Sequence, residues 1–192
     1  MLSIAAVVAT GTMTVLIMRG TYESLVSARD DYYQETHFPD VWAQVERAPL
    51  SLTRRIQQIP GVGAVETRIA FSATLDAPAV EAPGLGQFIS LPTPHREMLA
   101  DIHLREGRHL AAGRDGEALI SEKFAAANDL QPGDTLQAIL NGRFRALEIV
   151  GTAISPEHSY AVPPGAIFPE NERYGVIWMS EEALGAAFDM EG

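Results

Sequence analysis

The sequence predicts an α+β fold: a split β-α-β lobe carrying an inserted small β-rich module, preceded by an N-terminal membrane-type helix. Three observations lead there. Met1 to Met18 contains no charged residue. A strand-helix-strand pattern over 40–75 has a strand-helix counterpart at 174–188. Between them lies a stretch of short strands around Asn141-Gly142, the strongest hairpin signal in the chain.

At about 1.5 Å per residue the uncharged run makes a helix of roughly 27 Å, close to the ~30 Å hydrocarbon core of a bilayer. Two other readings compete with a membrane helix. A secretory signal peptide needs a basic start and a small-x-small cleavage site, and no Lys or Arg precedes the run. A buried core helix is the other, because Thr10, Gly11, Thr12 and Thr14 dilute the apolarity. Ala5, Ala6, Ala9 and Gly11 lie near one helical face and suit close helix packing, although small residues are common in any apolar helix. Residues 19–36 extend the helix as a stalk, with Tyr22, Leu25, Val26, Arg29, Tyr32 and Tyr33 recurring every three or four positions. His37-Phe38-Pro39 ends it.

Asp40 to Val45 is expected as a strand. A helix opening at Pro49 and Ser51 follows, with Leu52, Ile56 and Ile59 as its buried stripe, and Pro60-Gly61 stops it. Val62 to Leu75 reads as extended chain, with Val65, Thr67, Ile69 and Phe71 alternating against polar neighbours. Asp76 to Gly86 is rich in Pro, Gly and Ala and reads as a linker or a strand-edge loop. Gln87 to Leu91 is a strand, and Leu104 to Arg108 a turn into a loop. Ala118 to Ser121 is a short strand, followed by a helix over 122–128 with Ser121 as its N-cap. Thr135 to Leu140 and Phe144 to Val150 are strands of one hairpin. Ser155 to Arg173, with four prolines, is a long loop. Tyr174 to Met179 is a strand, and Ser180 caps a helix whose apolar face is Ala183, Leu184, Ala187 and Phe188.

This organisation gives four segments: 1–36, helix and stalk; 37–84, the first part of the β-α-β lobe; 85–155, the inserted module; and 156–192, a loop and a strand-helix pair returning to the first lobe. The lobe then wants one more strand, so an open sheet edge is expected at 174–179 and the chain reads as the front part of a longer protein.

Composition narrows the function. The 192 residues are 46% hydrophobic, as in a folded protein, and carry a net charge of −11, which argues against nucleic acid and against an anionic lipid surface. The absence of Cys removes disulfides, thiolate metal sites and cysteine catalysis. Of the five His, only His103 and His109 are close in sequence, and six residues apart is not a spacing that places two imidazoles on one face. His37, His95, His103, His109 and His158 therefore read as solvated loop residues. Ser121-Glu122-Lys123 and Ser155-Pro156-Glu157-His158 lack the Gly-x-Ser-x-Gly elbow of a nucleophilic serine. Gly61-Val62-Gly63 and Gly84-Leu85-Gly86 do not sit between a strand and a helix as phosphate loops do. No catalytic, cofactor-binding or metal-binding residue is expected, and no enzyme activity.

The order of motifs resembles the extracytoplasmic core domain of MacB-like (FtsX-like) ABC-transporter permeases. Leu2 to Met18 stands where that family has its first transmembrane helix. Ile59-Pro60-Gly61-Val62-Gly63-Ala64-Val65-Glu66 is similar to its "iPGVxxVe" turn, and Leu104-Arg105-Glu106-Gly107-Arg108 to its "l-x-x-G-R" step. Residues 118–125, Leu130 to Leu136 and Leu147 to Ala153 follow in the family's order. The resemblance implies a permease subunit in the inner (cytoplasmic) membrane with its soluble domain extracytoplasmic. It implies as partners a cytoplasmic ATPase and a second permease copy in a homodimer. The implied work is export or extraction of a lipid, lipoprotein or amphiphilic drug, without catalytic residues in this domain. Two departures stand out: no basic segment precedes the first helix, and the later transmembrane helices are missing. A membrane-anchored module binding peptide or glycan through the β module and the 155–173 loop is the alternative, and an anchored hydrolase a third reading.

Overall fold

The computed structural model describes residues 2–76 and 83–190. The chain divides into two compact units, Met1–Phe38 and Pro39–Gly192.

The first unit is one helix, α1, Leu2–Glu35. The apolar run and the stalk are therefore continuous, about 51 Å long. The hydroxyls of Thr10, Thr12 and Thr14 donate to the carbonyls of Ala6, Val8 and Thr10, at 2.8, 2.8 and 2.9 Å. Hydroxyls bonded back to their own helix need no water. The helix ends where His37 enters the left-handed region at φ 49°. Phe38 folds back there to stack on Tyr33, ring centroids 4.4 Å apart.

The second unit begins with residues that do not join the sheet. No strand forms over 40–45, contrary to the sequence expectation. A strand needs a ladder partner, and β1 (Ala70–Asp76), the other strand of the expected strand-helix-strand unit, pairs instead with β2 (Gly84–Leu91) on one side and β5 (Thr135–Leu140) on the other. The next helix, α2, is only Ser51–Gln57 and buries none of its residues. Leu52 and Ile56 are half-buried and Ile59 is exposed, so the expected stripe is not a core face. Residues 62–69 make no ladder; Ile69 N–H donates to Ser90 Oγ at 2.9 Å, and pairing starts at Ala70.

The rest is a single sheet. To β1, β2 and β5 it adds β3 (His103–Gly107), β4 (Glu117–Ser121), β6 (Arg143–Ile154) and β7 (Tyr174–Ser180) in the order β3-β6-β4-β7-β2-β1-β5. The long β6 pairs with β5 as well, so six strands close on themselves and β3 flanks β6. The β5–β6 hairpin turns at Asn141-Gly142, both at positive φ (47° and 73°), as a two-residue turn of this hand requires.

This closure corrects the expected division into a lobe and an inserted module. β7 lies between β2 and β4, parallel to β2 over Leu85–Leu91 and antiparallel to β4 at Leu119 and Ile120. The boundaries expected at 84/85 and 155/156 thus separate strands that belong to one sheet. The open edge expected at 174–179 is absent for the same reason, since β7 is flanked on both sides. The 104–108 turn is strand β3 with a bulge between Leu104 and Glu106, and Gly84 to Gly86 opens β2. The linker assigned to 76–86 falls largely outside the described residues.

The α+β class and the N-terminal apolar helix hold. Side chains alternate between two buried layers. Leu75, Phe88, Ile120, Leu136, Ile149 and Ile177 face one, where α3 (Glu122–Ala127) adds Phe124 and α4 (Glu181–Ala187) adds Leu184. Ile89, Leu91, Leu119, Val150, Val176 and Trp178 face the other, roofed by Met98, Ile102 and Leu110 from the connections. Gly175 lets the Phe124 ring close on the strand: a Cβ there would lie 2.8 Å from it.

Candidate functional site

The polar chemistry of the second unit gathers where connections cross the outer layer around Trp178. Arg68, just before β1, reaches Glu157 Oε1 at 2.8 Å and also donates to the Leu99 carbonyl. Both partners of the ion pair are largely buried. Burial pushes the Glu157 carboxyl up, against the pull of Arg68. Ser155 Oγ accepts from the Glu157 N–H and starts a single 3-10 turn, Pro156–His158. That turn sets the His158 ring edge-on to Trp178, centroids 6.4 Å apart. Burial, helped by Arg68, lowers the His158 pKa to about 4.

A second contact joins two other segments. His95 and His109 stack nearly parallel, centroids 4.0 Å apart. His95 Nε2 lies 3.4 Å from Asp101 Oδ2. Burial, then the neighbouring His95, lowers the His109 pKa. These three histidines are partly buried, which corrects their reading as solvated; His37 and His103 are exposed. Sequence spacing missed both contacts because the partners of His95, His109 and His158 come from segments distant in the chain. His103 and His109, the pair close in sequence, are not the pair that meets.

Elsewhere Glu117, almost fully buried, takes Arg108 on both oxygens at 2.9 and 2.6 Å and the Ala111 N–H at 3.0 Å. The Arg108 hydrogen bonds hold its carboxyl below the usual range, ahead of the opposing effect of burial. Ser121 occupies the N-cap position of α3 without a cap bond; its Oγ accepts from Val176 N–H at 3.3 Å. Ser121 and Ser155 each accept a backbone N–H. Among the described residues no group of three or more His, Cys, Asp or Glu comes together to hold a metal. Open clefts lie elsewhere among the described residues. One, about 400 Å³, lies between Arg47, Asn141 and the stacked Phe71 and Phe188. Another, about 370 Å³, is lined by Pro163, Pro164, Ala166, Arg173 and Tyr174.

The first unit offers a different kind of site. α1 is long and apolar enough to cross a membrane, and none of that stretch is buried within the chain. Ile4, Val7, Val8, Met13, Val15, Leu16, Ile17 and Met18 are all exposed, so the core-helix reading does not describe it.

No family model and no curated protein matches the chain. Among solved structures it is similar to the extracellular domain of the noncanonic ABC-type transporter YknZ from Gram-positive bacteria, at 15% identity and a TM-score of 0.46, over 73% of this chain and 66% of that one. The chain thus spans just under two thirds of that domain's length. At this identity and score no residue role passes from one to the other.

Proposed function

We propose that the chain is the extracytoplasmic domain of an ABC-transporter permease subunit, together with its first membrane helix. It couples cytoplasmic ATP hydrolysis to the export or extraction of a lipid, lipoprotein or amphiphilic substrate, and does so without catalytic residues of its own. The observation that carries this reading is α1. An uncharged, wholly exposed helix runs straight into a stalk, and the folded unit that follows holds the permease-like motifs in order. Its partners are then a cytoplasmic ATPase reached through the rest of the permease and a second permease copy in a homodimer. The setting is the inner membrane.

The test is a topology assay. Alkaline phosphatase fused after Gly192 should be active in intact bacteria, and the fusion should sediment with membranes and resist carbonate extraction. A soluble or phosphatase-inactive fusion overturns the reading. N-terminal sequencing of the membrane-borne product should return Met1 or Leu2; a start beyond Met18 would mean a cleaved leader. The gene should encode three or more further apolar spans downstream.

One observation favours the second reading, an anchored module for peptide or glycan. The 370 Å³ cleft is built from the proline-rich 163–166 segment and Tyr174, a pairing of rigid apolar wall and polar tip that suits either ligand. Absence of downstream spans, with saturable binding of a peptide or glycan lost in Tyr174→Ala, would select it.

A further inference from the structure

We propose that the His95–His109 stack and the His158–Trp178 contact together form an acid-opened clasp. In mild acid the connections over 92–102 and 155–161 release from the sheet around Trp178, while the sheet, β3 included, stays folded. The inference does not depend on the permease reading.

Polar contacts help tie these connections down. Residues 155–161 are held by Glu157 on Arg68, by His158 against Trp178 and by Lys123 Nζ donating to the Ser159 carbonyl at 2.7 Å. Residues 92–102 are held by Arg68 on the Leu99 carbonyl, by Arg96 on Glu66 at 2.5 Å and by the His95–His109 stack. The apolar roof of Met98, Ile102 and Leu110 lies beneath. Connections fixed by a few side chains open at lower free energy than strands fixed on both edges.

The second observation is independent. Among the described residues, the buried side-chain N or O atoms without a hydrogen-bond partner are Nδ1 of His95, His109 and His158. Two of them form the stack and the third packs on Trp178. A proton added at any of them finds no acceptor at hydrogen-bonding distance in the closed form; Glu157 Oε2 is 3.8 Å from His158 Nδ1.

The charged neighbours set the sign. His158 faces Glu157 on its own turn, Arg68 from the segment before β1, and the uncharged Trp178 on β7. His109 faces His95 and Asp101; its sequence neighbour Arg108 is committed to Glu117. His95 faces Asp101 and His109, and its neighbour Arg96 is committed to Glu66. Asp101 can balance one charge on the stack, so a second imidazolium 4.0 Å away is repelled, as His158 is by Arg68. Folded-state pKa values of His109 and His158 lie below the ordinary 6.5. The open form therefore takes up protons as pH falls through 6.5, while the closed form takes them up only at lower pH, for His158 about 4. Closure is full above about pH 7 and weakens between 6.5 and 4. Glu157 works the other way, because its raised pKa lets the closed form bind a proton first. One carboxyl opposes the histidines, and the net effect is opening.

The experiment uses the full chain in phospholipid nanodiscs with Trp42→Phe, which leaves Trp178 as the one tryptophan of the two. Hydrogen exchange read by mass spectrometry, corrected for intrinsic rates, should show peptides over 92–102 and 155–161 exchanging on the order of tenfold faster at pH 5 than at pH 7.5. Peptides over 135–150 should not change. The triple variant H95Q/H109Q/H158Q should lose the acid response. Trp178 emission, which needs no histidine variant, should shift with a midpoint between pH 4 and 6.5. Equal exchange at both pH values, opening of the whole sheet at once, an acid response retained by the triple variant, or no emission midpoint in that range would each overturn the clasp.

Discussion

α1 and β7 are both apolar runs, and their surroundings are opposite. Met13 to Met18 projects its Val, Leu, Ile and Met side chains outward. Tyr174–Ser180 buries every residue, with Trp178 only 1% exposed. The difference comes from how backbone groups are satisfied. A helix satisfies its own N–H and C=O groups, so α1 leaves its whole side-chain surface free for another medium. A strand must find ladders, and β7, with β2 on one side and β4 on the other, is drawn to where both of its faces are covered. Apolarity alone does not say which solvent a run needs; the backbone pattern beneath it does.

The largest test of this contrast removes one member. Deleting residues 2–18 should turn a membrane-borne chain into a water-soluble, less associated one. Eight exposed apolar side chains at about 1.5 kcal/mol or more each give a driving force on the order of ten kcal/mol. Liposome flotation and light scattering read it, and identical behaviour with and without the segment would sink the membrane role of α1.

Next come paired truncations in the nanodisc-held chain. Trp178→Ala should cost the second unit about 3–5 kcal/mol in urea unfolding. Leu16→Ala in α1 should change that unfolding by less than about 0.5 kcal/mol. Comparable costs would mean that α1 is part of the same packed core.

Glycines sharpen the contrast further. Gly107 sits at φ +80°, and a Cβ there would collide with the Val150 carbonyl and lie 2.7 Å from Gly151 Cα, where β3 runs beside β6. Gly107→Ala should cost about 2–4 kcal/mol, from the left-handed backbone and the forced displacement together. At Gly11 in α1 an added Cβ would meet nothing within 4 Å, so Gly11→Ala should add about 0.5–1 kcal/mol of helix stability, read by circular dichroism of a 1–38 peptide in micelles. A tolerated Gly107→Ala would show that β3 is not held against β6.

How much of this was legible depended on the range of the interactions. α1, the Asn141-Gly142 hairpin, α3, α4 and the core strands at 87–91, 118–121 and 174–179 are written in local pattern and were readable. The partners of those strands were not. Alternation says that β7 has two buried faces' worth of apolar residues, but not that β2 and β4 supply its edges. Residues 40–45 and 52–59 failed for a related reason: their pattern is sound for strand and helix, yet 40–45 joins no ladder and the helix over 51–57 buries none of its residues. The histidine contacts were the least legible part. His95 meets His109, and His158 meets Trp178, at separations that carry no local spacing.

The smallest effect tests the join between strand and helix at the end of β7. Ser180 leaves the strand at φ −61°, ψ 146°, and its Oγ accepts the Ala183 N–H at 3.1 Å. Glu181 and Glu182 then sit in the first turn of α4, where the helix dipole favours negative charge. Ser121 holds the matching place between β4 and α3 and makes no such bond. Ser180→Ala should therefore cost about 1 kcal/mol, a fall of roughly 2–4 °C in the melting temperature of the second unit. Ser180→Gly should cost only a few tenths, because glycine leaves the N–H groups open to water. The cap is local to β7 and α4, so neither change should alter liposome binding through α1. An unchanged melting temperature in Ser180→Ala would show that α4 is held by Leu184 and Ala183 in the core and not by its cap.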